Sequence, residues 1–217
     1  CAPGGSSSIT VRVRQNNNLT FTSSNAAMCQ GQTRTISATP APTNAFGNAG
    51  DPGTYSGTGV TGTTFTAPVP GGASQTYTLT YTFGFCNATQ NITVFRNPSP
   101  SNAGPDQTVA TANATLAGNI PTFGTGTWSV IAGTGTFSNV NDPNATVTGL
   151  SPGVNTFRWT ITNGPCTANS NDVNITVDGT PPTITCPGGQ SGFLNASCAF
   201  SLPNYISLVT TSDAVDP

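Results

Sequence analysis

Apolar and polar residues alternate without a break over residues 76–83, which read TYTLTYTF. Tyr77, Leu79, Tyr81 and Phe83 fall on one side of an extended chain, and the threonines between them fall on the other. Successive side chains of a β-strand point to opposite faces, so this pattern predicts a half-buried antiparallel strand with a hydroxyl outer face. No helical periodicity competes with it, because Thr, Val, Gly and Pro interrupt the chain too often.

The same pattern returns at residues 155–177, which repeat residues 75–94. The matching pairs are Tyr77 with Phe157, Leu79 with Trp159, Tyr81 with Ile161, Thr82 with Thr162, Gly84 with Gly164, and Cys86 with Cys166. Residues 1–14 resemble the tail of a third copy, with Cys1, a small-polar turn and then Ile9-Thr10-Val11. A long repeat period with a strand–turn–strand signature predicts tandem domains.

Clusters of turn-forming residues divide each copy into short segments. The predicted strands of the first copy are 19–22, 33–38, 53–56, 63–66, 75–83 and 90–95, and those of the second are 107–110, 114–117, 126–131, 135–137, 145–148, 155–162 and 171–177. Short strands with a turn signal every 8–12 residues are typical of an immunoglobulin-like sandwich. We therefore predict an all-β fold of tandem immunoglobulin-like sandwiches, with Trp128 in a core.

The repeats also set the predicted domain boundaries. Residues 1–14 are assigned to the terminal strand of a preceding repeat, 15–97 and 98–178 to two sandwich repeats, and 179–217 to the start of an incomplete third sandwich. So short a final segment cannot easily bury a core alone. A start inside a repeat indicates a window from a longer protein. The linker at residues 96–100 contains two prolines, which favour extended backbone.

Charge is scarce: charged residues make up 6% of the chain, and Lys, Glu and His are absent, whereas globular domains usually have about 25%. The net charge of -2 provides no electrostatic footprint for nucleic acid or anionic lipid, and no apolar run reaches membrane-helix length. A surface of hydroxyls and amides suits an extracellular protein. Without His, a Ser-His-Asp or Cys-His catalytic arrangement cannot form within this chain, so we expect no enzyme activity.

Six cysteines in an extracellular-looking chain indicate disulfides. Cys29 and Cys86 stand at opposite ends of the first repeat, and we predict a bond between them. Cys186 and Cys198 are predicted to close a short hairpin-like excursion. Zinc is the rival interpretation, but CxxC spacing and His are both absent.

The two remaining cysteines have no predicted partner in the chain. Cys166 would pair with a cysteine near Val109, but Ala110 stands there, so Cys166 is predicted to be unpaired or externally paired. Cys1 would pair with a residue before the first position of this sequence. A lipid-anchored mature terminus at Cys1 is the alternative for that residue.

Several stretches of the second repeat resemble PKD/Ig-like repeats of giant surface proteins of the Bacteroidota, such as the SprB-type gliding-motility adhesins. These stretches are NAGPDQTV (102–109), ATLAGN (114–119), GTWS (126–129), NDPNATV (141–147) and LSPGVNTFRWT (150–160). The first repeat resembles the family more loosely, and Ala110 departs from it where the family carries a cysteine. Residues 180–187, with Cys198 and 212–217, resemble the opening of a hyalin (HYR) repeat. The resemblance implies type IX secretion and display on the outer-membrane surface.

Other candidate sites are weaker. We expect no cofactor, although Asp106, Asp142 and Asp172 lie near repeat ends, where carboxylates could hold a structural calcium ion. Sequons for N-glycosylation occur at Asn18, Asn87, Asn91, Asn113, Asn144, Asn174 and Asn195, and we interpret them first as exposed positions. Exposed rings could bind sugar, but Tyr77, Tyr81, Phe157 and Trp159 alternate inward, which leaves Phe46 as the candidate ring.

Three functions fit these observations. The leading hypothesis is a non-catalytic cell-surface adhesin or fibre, in which tandem sandwiches form a stalk for surface attachment or gliding motility. Its partners would be neighbouring repeats and a surface polysaccharide or other cell-surface ligand. The alternatives are an accessory carbohydrate-binding module of a secreted enzyme, which a glycan array would detect, and a self-associating filament subunit that donates a strand between chains, which light scattering would detect.

Overall fold

The computed structural model describes residues 18–21, 26–39, 53–83, 86–180, 183–186, 188–189, 194, 196–198, 206 and 209–212. The chain divides into two compact units. The first contains residues 1–100, 121–125 and 161–169, and the second contains residues 101–120, 126–160 and 170–217. The domain boundaries proposed from the sequence stay a prediction. Within the described ranges, no helix is long and apolar enough to cross a membrane.

The described part of the first repeat contains eight strands. They are β1 (Asn18–Phe21), β2 (Ala27–Cys29), β3 (Thr33–Thr39), β4 (Thr54–Ser56), β5 (Val60–Thr61), β6 (Thr64–Thr66), β7 (Ser74–Phe83) and β8 (Cys86–Phe95). Two four-stranded sheets result, with the orders β1-β3-β6-β5 and β2-β8-β7-β4. The hairpin of β7 and β8 pairs ten residues of each strand, which confirms the long strand predicted from alternation.

The core of the first repeat draws side chains from both of these sheets. Ile36 and Phe65 come from one sheet and Leu79, Ile92 and Val94 from the other, and all are fully buried in one apolar cluster. Between these inward positions, β7 carries threonines on its solvent side. Two sheets that share one core form a sandwich, which confirms the predicted fold class.

The second repeat contains the seven strands predicted for it. They are β9 (Gln107–Val109), β10 (Asn113–Thr115), β11 (Thr125–Ala132), β12 (Thr136–Phe137), β13 (Thr146–Thr148), β14 (Gly153–Thr162) and β15 (Asn169–Val177). The sheet orders are β10-β13-β12 and β11-β14-β15-β9. Trp128 is 2% exposed, so its predicted core position is confirmed. Its ring lies 4.9 Å from that of Trp159, and Phe137 from the other sheet packs edge-on against Phe157.

A buried amide organises one end of the second repeat. Asn155 has no exposed surface. Its Oδ1 accepts hydrogen bonds from Thr134 N and from the backbone N and hydroxyl of Ser151. Its Nδ2 donates to the carbonyl oxygens of Ser151, Gly153 and Ile175. Both polar atoms of the side chain are therefore fully satisfied, as burial of an amide requires.

In the described part of the first repeat, the sequence patterns missed two short strands, β2 and β5. The important one is β2, which pairs in parallel with β8 so that Cys29 lies opposite Phe95. In the second repeat, β9 pairs in parallel with β15 in the same way, with Val109 opposite Val177. β2 has only three residues, which is too few to show an alternating pattern. Its counterpart in the second repeat is β9, which was predicted.

Beyond residue 178, β16 (Thr183–Thr185) pairs antiparallel with β17 (Thr210–Ser212), and both strands are exposed. Cys186 and Cys198 are exposed free thiols, so the predicted bond between them is wrong. The physical reason is strand pairing. Cys186 directly follows a strand whose partner is β17, whereas Cys198 belongs to a separate turn at residues 196–198.

Candidate functional site: a disulfide-linked turn

A disulfide joins Cys29, the last residue of β2, to Cys166, in the turn that follows β14. The two Cα atoms lie 5.4 Å apart although 137 positions separate the residues in sequence. Both cysteines are buried and both belong to the first compact unit. The bond therefore links the first sequence repeat to a turn of the second.

The predicted Cys29–Cys86 bond and the predicted unpaired Cys166 are both wrong. Cys29 lies opposite Phe95, at the end of β8, while Cys86 is the residue at which β8 begins. Ten residues of strand at roughly 3.4 Å each place those ends about 30 Å apart. Bonded cysteines have Cα atoms no more than about 7 Å apart, so these two cannot pair. Cys1 lies outside the described residues.

A buried asparagine supports the turn beside the disulfide. Asn163 donates from Nδ2 to Ala73 O at 2.8 Å and to Arg96 O at 2.7 Å. The backbone carbonyl of Asn163 accepts a hydrogen bond from Cys166 N at 3.2 Å, and this bond closes the turn. A hydrogen bond made by a buried group is costly to remove, because the partner left behind is unsatisfied. These bonds hold the turn, referred to below as the clamp turn (residues 163–166), against residues 73 and 96 independently of the sulfur bridge.

Gly164 allows the close approach of the clamp turn to the ring of Phe95. Its φ is +55°, a conformation that L side chains rarely adopt, and a Cβ at this position would overlap the Phe95 ring. Phe95 is also the residue opposite Cys29, and its carbonyl oxygen lies 3.7 Å from the Cys166 sulfur. One short stretch of β8 therefore contacts both halves of the disulfide.

The linker that follows β8 is also fixed. The Arg96 guanidinium lies 4.1 Å above the Phe123 ring and donates to Pro70 O. Ser99 donates from its backbone N to Phe123 O and accepts from Thr122 N at its hydroxyl. A cation over an aromatic face is worth about 0.5–1 kcal/mol at exposed sites. These contacts hold residues 96–99 and 122–123 together within the first unit.

We expect Gly164→Ala to destabilise the first unit by about 2–4 kcal/mol, whereas Gly149→Ala should destabilise the second unit by about 1–2 kcal/mol. Both glycines have positive φ, so alanine costs about 1–2 kcal/mol in backbone strain at each. Only Gly164 adds an overlap, with Phe95, because nothing lies near Gly149. Urea unfolding measures both changes. Equal losses would show that the ring contact has no role.

The three candidate calcium ligands occupy separate hydrogen-bond settings. Asp106 accepts from the backbone and side chain of Asn174, Asp142 accepts from Asn144 N, and Asp172 pairs with Arg158 at 2.7 Å. In the part of the chain that the structure describes, no three metal-ligating side chains come together. The structure thus assigns each of these carboxylates a local role in a turn or strand pair.

The exposed Arg158–Asp172 pair makes a part of the stability depend on acidic pH. Hydrogen bonds from the Arg158 guanidinium lower the pKa of Asp172, and the same contact raises the pKa of Arg158. A carboxyl with a lowered folded pKa contributes stability above its unfolded value, about 3.9, and loses it as pH falls through the folded pKa. We expect a constant Tm between about pH 5 and 7, since the chain has no His. Below about pH 4 the Tm should fall, and Arg158→Gln should shift the carboxyl titration of Asp172 upward.

The aromatic candidates for sugar binding lie in the cores. Tyr77, Tyr81, Phe157 and Trp159 are all buried, as predicted, and Phe46 lies outside the described residues. Of the seven sequons, the asparagines at 87, 91, 113 and 144 are exposed and the one at 174 is half-buried. The side chains of the asparagines at 18 and 195 lie outside the described part.

No protein-family model matches this chain, and the comparison with curated proteins gives no match. Among solved structures, the chain is similar to a PKD domain from the KIAA 1837 protein (25% identity, 37% of this chain and 89% of that one, TM-score 0.32). It is also similar to extracellular domains 3–5 of Drosophila OTK (15%, 75% and 62%, TM-score 0.38) and to Dpr2 Ig1-Ig2 in complex with DIP-Theta Ig1-Ig3 (13%, 78% and 69%, TM-score 0.35). The chain spans less than two thirds of the OTK fragment. The fold assignment depends on the sheets and cores described above.

Proposed function

We propose that this chain is a non-catalytic segment of an extracellular surface protein, in which tandem sandwiches form a stalk that carries tension. The observation that supports this proposal best is the Cys29–Cys166 disulfide. Disulfides persist in oxidising, extracellular environments and are rare in the cytosol. A bond that joins one repeat to a turn of the next changes how tension passes along the chain.

Tension applied to the two ends of the chain would bypass most of both repeats. Force arriving through β2 at Cys29 crosses the disulfide directly to Cys166 and leaves through β15. The intervening segment, which accounts for the 137-residue separation, carries no load while the bond is intact. A stalk built in this way keeps its length even when a sandwich yields, which suits a tether that holds a binding tip away from a cell.

We also propose which kind of surface protein this is, on the basis of residues 102–160. Their resemblance to PKD/Ig-like repeats of Bacteroidota adhesins supports an adhesin exported by type IX secretion and displayed at the outer membrane, with gliding motility or surface attachment as its context. A surface of threonine and asparagine with few charges is compatible with such display. Surface polysaccharide is then the expected ligand of the parent protein.

Single-molecule stretching tests the mechanical role. With the disulfide intact, we expect the 137-residue segment to stay hidden from extension. Reduction should add roughly 490 Å of contour length, at about 3.6 Å per residue across the 137-residue separation. Cys29→Ala should extend to the longer length without reductant, and Cys186→Ala, at an exposed free thiol, should behave as the unmodified chain. Equal contour lengths with and without reductant would contradict the proposal.

A further inference from the structure

Asn163, in the clamp turn, is the only asparagine of the chain that is directly followed by glycine. In such a pair the backbone nitrogen of the glycine can attack the side-chain carbonyl carbon of the asparagine, because the second residue has no Cβ to hinder the approach. Attack within one chain is also favoured because the two reacting groups are already close together. The clamp turn therefore contains a pair of residues that can lose the side-chain amide as ammonia. The corresponding residues of the first repeat are Phe83 and Gly84, which cannot react in this way.

The folded structure protects the Asn163 amide from this reaction. Asn163 is 9% exposed, and its Nδ2 donates to Ala73 O at 2.8 Å and to Arg96 O at 2.7 Å. To leave as ammonia, Nδ2 must gain a proton, whereas a carbonyl oxygen only accepts a hydrogen bond and has no proton to give. Both hydrogen bonds must also break. The amide is therefore stable as long as it stays on these two carbonyls.

The backbone of the clamp turn is restrained as well. Cys166 N donates to Asn163 O, and the Cys166 sulfur is bonded to Cys29. Gly164 has a φ of +55° and lies against the Phe95 ring. A change in the backbone at Asn163 or Gly164 therefore requires the turn to open. A dithiol removes one restraint by thiol–disulfide exchange, in which it becomes a disulfide itself and leaves Cys29 and Cys166 as thiols.

We propose that Asn163 and Gly164 form a modification site that reacts when the clamp turn opens and that, once modified, prevents the turn from closing again. In the first step, Gly164 N loses its proton and bonds to Asn163 Cγ, and the Cγ–Nδ2 bond breaks with release of ammonia. Water then opens the cyclic imide. The product is aspartate, or isoaspartate when water attacks the backbone carbonyl carbon, and one water is consumed for each ammonia released.

Modification removes the hydrogen bonds that hold the clamp turn. An aspartate at position 163 places a carboxylate oxygen, which only accepts, where Nδ2 donated to Ala73 O and Arg96 O. Acceptors then face one another at a buried position, and burial penalises the negative charge. Isoaspartate also lengthens the backbone of the turn by one carbon. Either product therefore disfavours the closed turn, which brings Cys166 to Cys29, and the opening becomes permanent.

The rate of ammonia loss at Asn163 tests the proposal in the unmodified chain. Three samples are incubated in the same mildly alkaline buffer: the oxidised folded chain, the chain reduced with dithiothreitol, and the reduced chain unfolded in guanidinium chloride. Cleavage after arginine yields residues 159–217 as one peptide, and fragmentation mass spectrometry assigns the modified asparagine. We expect the oxidised chain to react at least about tenfold more slowly than the unfolded chain, because the cost of breaking one buried hydrogen bond corresponds to roughly this factor. The reduced chain should react faster than the oxidised chain.

Internal references are present in the same peptide. The asparagines at 169, 171 and 174 are not followed by glycine, so they should react more slowly than Asn163 in the unfolded chain. Equal rates at Asn163 in the oxidised and unfolded chains would overturn the proposal, because the clamp would then give no protection. An unchanged rate after reduction would overturn it too, since the disulfide would then not control access to the site.

Asn163→Asp reproduces the aspartate product and tests whether the modified turn can close. Each chain is reduced and refolded in a series of glutathione buffers, and alkylation then gives the effective concentration of Cys29 and Cys166 toward each other. We expect this value to fall at least about tenfold in Asn163→Asp. Asn87→Asp, the same charge change at an exposed position of the first unit, should alter it by less than about twofold.

A Asn163→Asp chain that forms the Cys29–Cys166 bond as readily as the unmodified chain would contradict the second half of the proposal. Tryptophan fluorescence verifies that each variant has folded, because Trp128 and Trp159 lie in the second unit. The rate measurement needs no variant and decides the first half alone. Both experiments work without tension, so their outcome is independent of the stretching experiment on the stalk.

Discussion

Replacement of Cys29 by alanine is expected to lower the free energy of unfolding of the first unit by about 3–5 kcal/mol. A cross-link across a 137-residue separation removes conformational entropy from the unfolded chain, and the chain-entropy estimate for a loop of this size is about 5 kcal/mol. That is a large share of the 5–15 kcal/mol by which domains are usually stable. Calorimetry or urea unfolding followed by circular dichroism measures the loss.

The cysteine variants supply their own controls. Cys29→Ala, Cys166→Ala and the double variant each remove the same bond, so all three should lose nearly the same stability. Reduction of the unmodified chain should reproduce that loss. Cys186→Ala and Cys198→Ala, at exposed free thiols, should change stability by less than about 0.5 kcal/mol. A Cys29→Ala variant as stable as the unmodified chain would show that the bond is not formed.

Asn155→Ala is expected to destabilise the second unit by about 4 kcal/mol. The substitution leaves the buried Ile175 O without its partner, and it also removes the partner of Thr134 N and of the Ser151 backbone, which are part-buried. An unsatisfied buried polar group costs about 1–3 kcal/mol, and each part-buried group that loses its partner adds a smaller loss. The cavity left by the amide adds to the loss. Tryptophan fluorescence during urea unfolding reports on this unit, because Trp128 and Trp159 both lie in it.

Gln75→Ala is the matched control for Asn155, since the repeat alignment places the two residues at the same position. Gln75 accepts from Gly71 N and Tyr77 OH but is itself exposed. Water can replace those contacts, so its substitution should cost about 1 kcal/mol or less. Similar losses at both positions would indicate that burial of the amide is not what makes Asn155 important.

Much of the fold could be predicted from the sequence because strand alternation has a direct physical cause. In β7, the inward residues are apolar and the outward residues are threonine, and a shift of one residue would exchange the two faces. Because residues 155–177 repeat residues 75–94, the strand predicted in the first sandwich also predicted its counterpart in the second. Trp128 was placed correctly for the same reason, since a large aromatic residue on an alternating strand is buried in a sandwich core.

The candidate site was only partly predictable. Cys29 and Cys166 were recognised as cysteines of interest, but their pairing was assigned incorrectly. Asn163 and Asn155 were missed, because an asparagine that satisfies buried carbonyls looks in sequence like any turn residue. One feature of the sequence could have corrected the cysteine pairing. Alignment of β2 with the predicted strand at residues 107–110 would have placed Cys29 beside Phe95, and therefore far from Cys86.

By itself, the sequence determined the β-strands, the two tandem sandwiches and the scarcity of groups able to move protons, because local alternation and composition carry that information residue by residue. Only the tertiary structure decided which cysteines bond. Disulfide connectivity depends on where strand ends lie in space, and the parallel pairing of β2 with β8 sets this through backbone contacts between residues distant in sequence. The same long-range packing brings Asn163 and Gly164 against the end of β8. A local sequence pattern cannot predict such a contact, because the two segments are far apart in the chain.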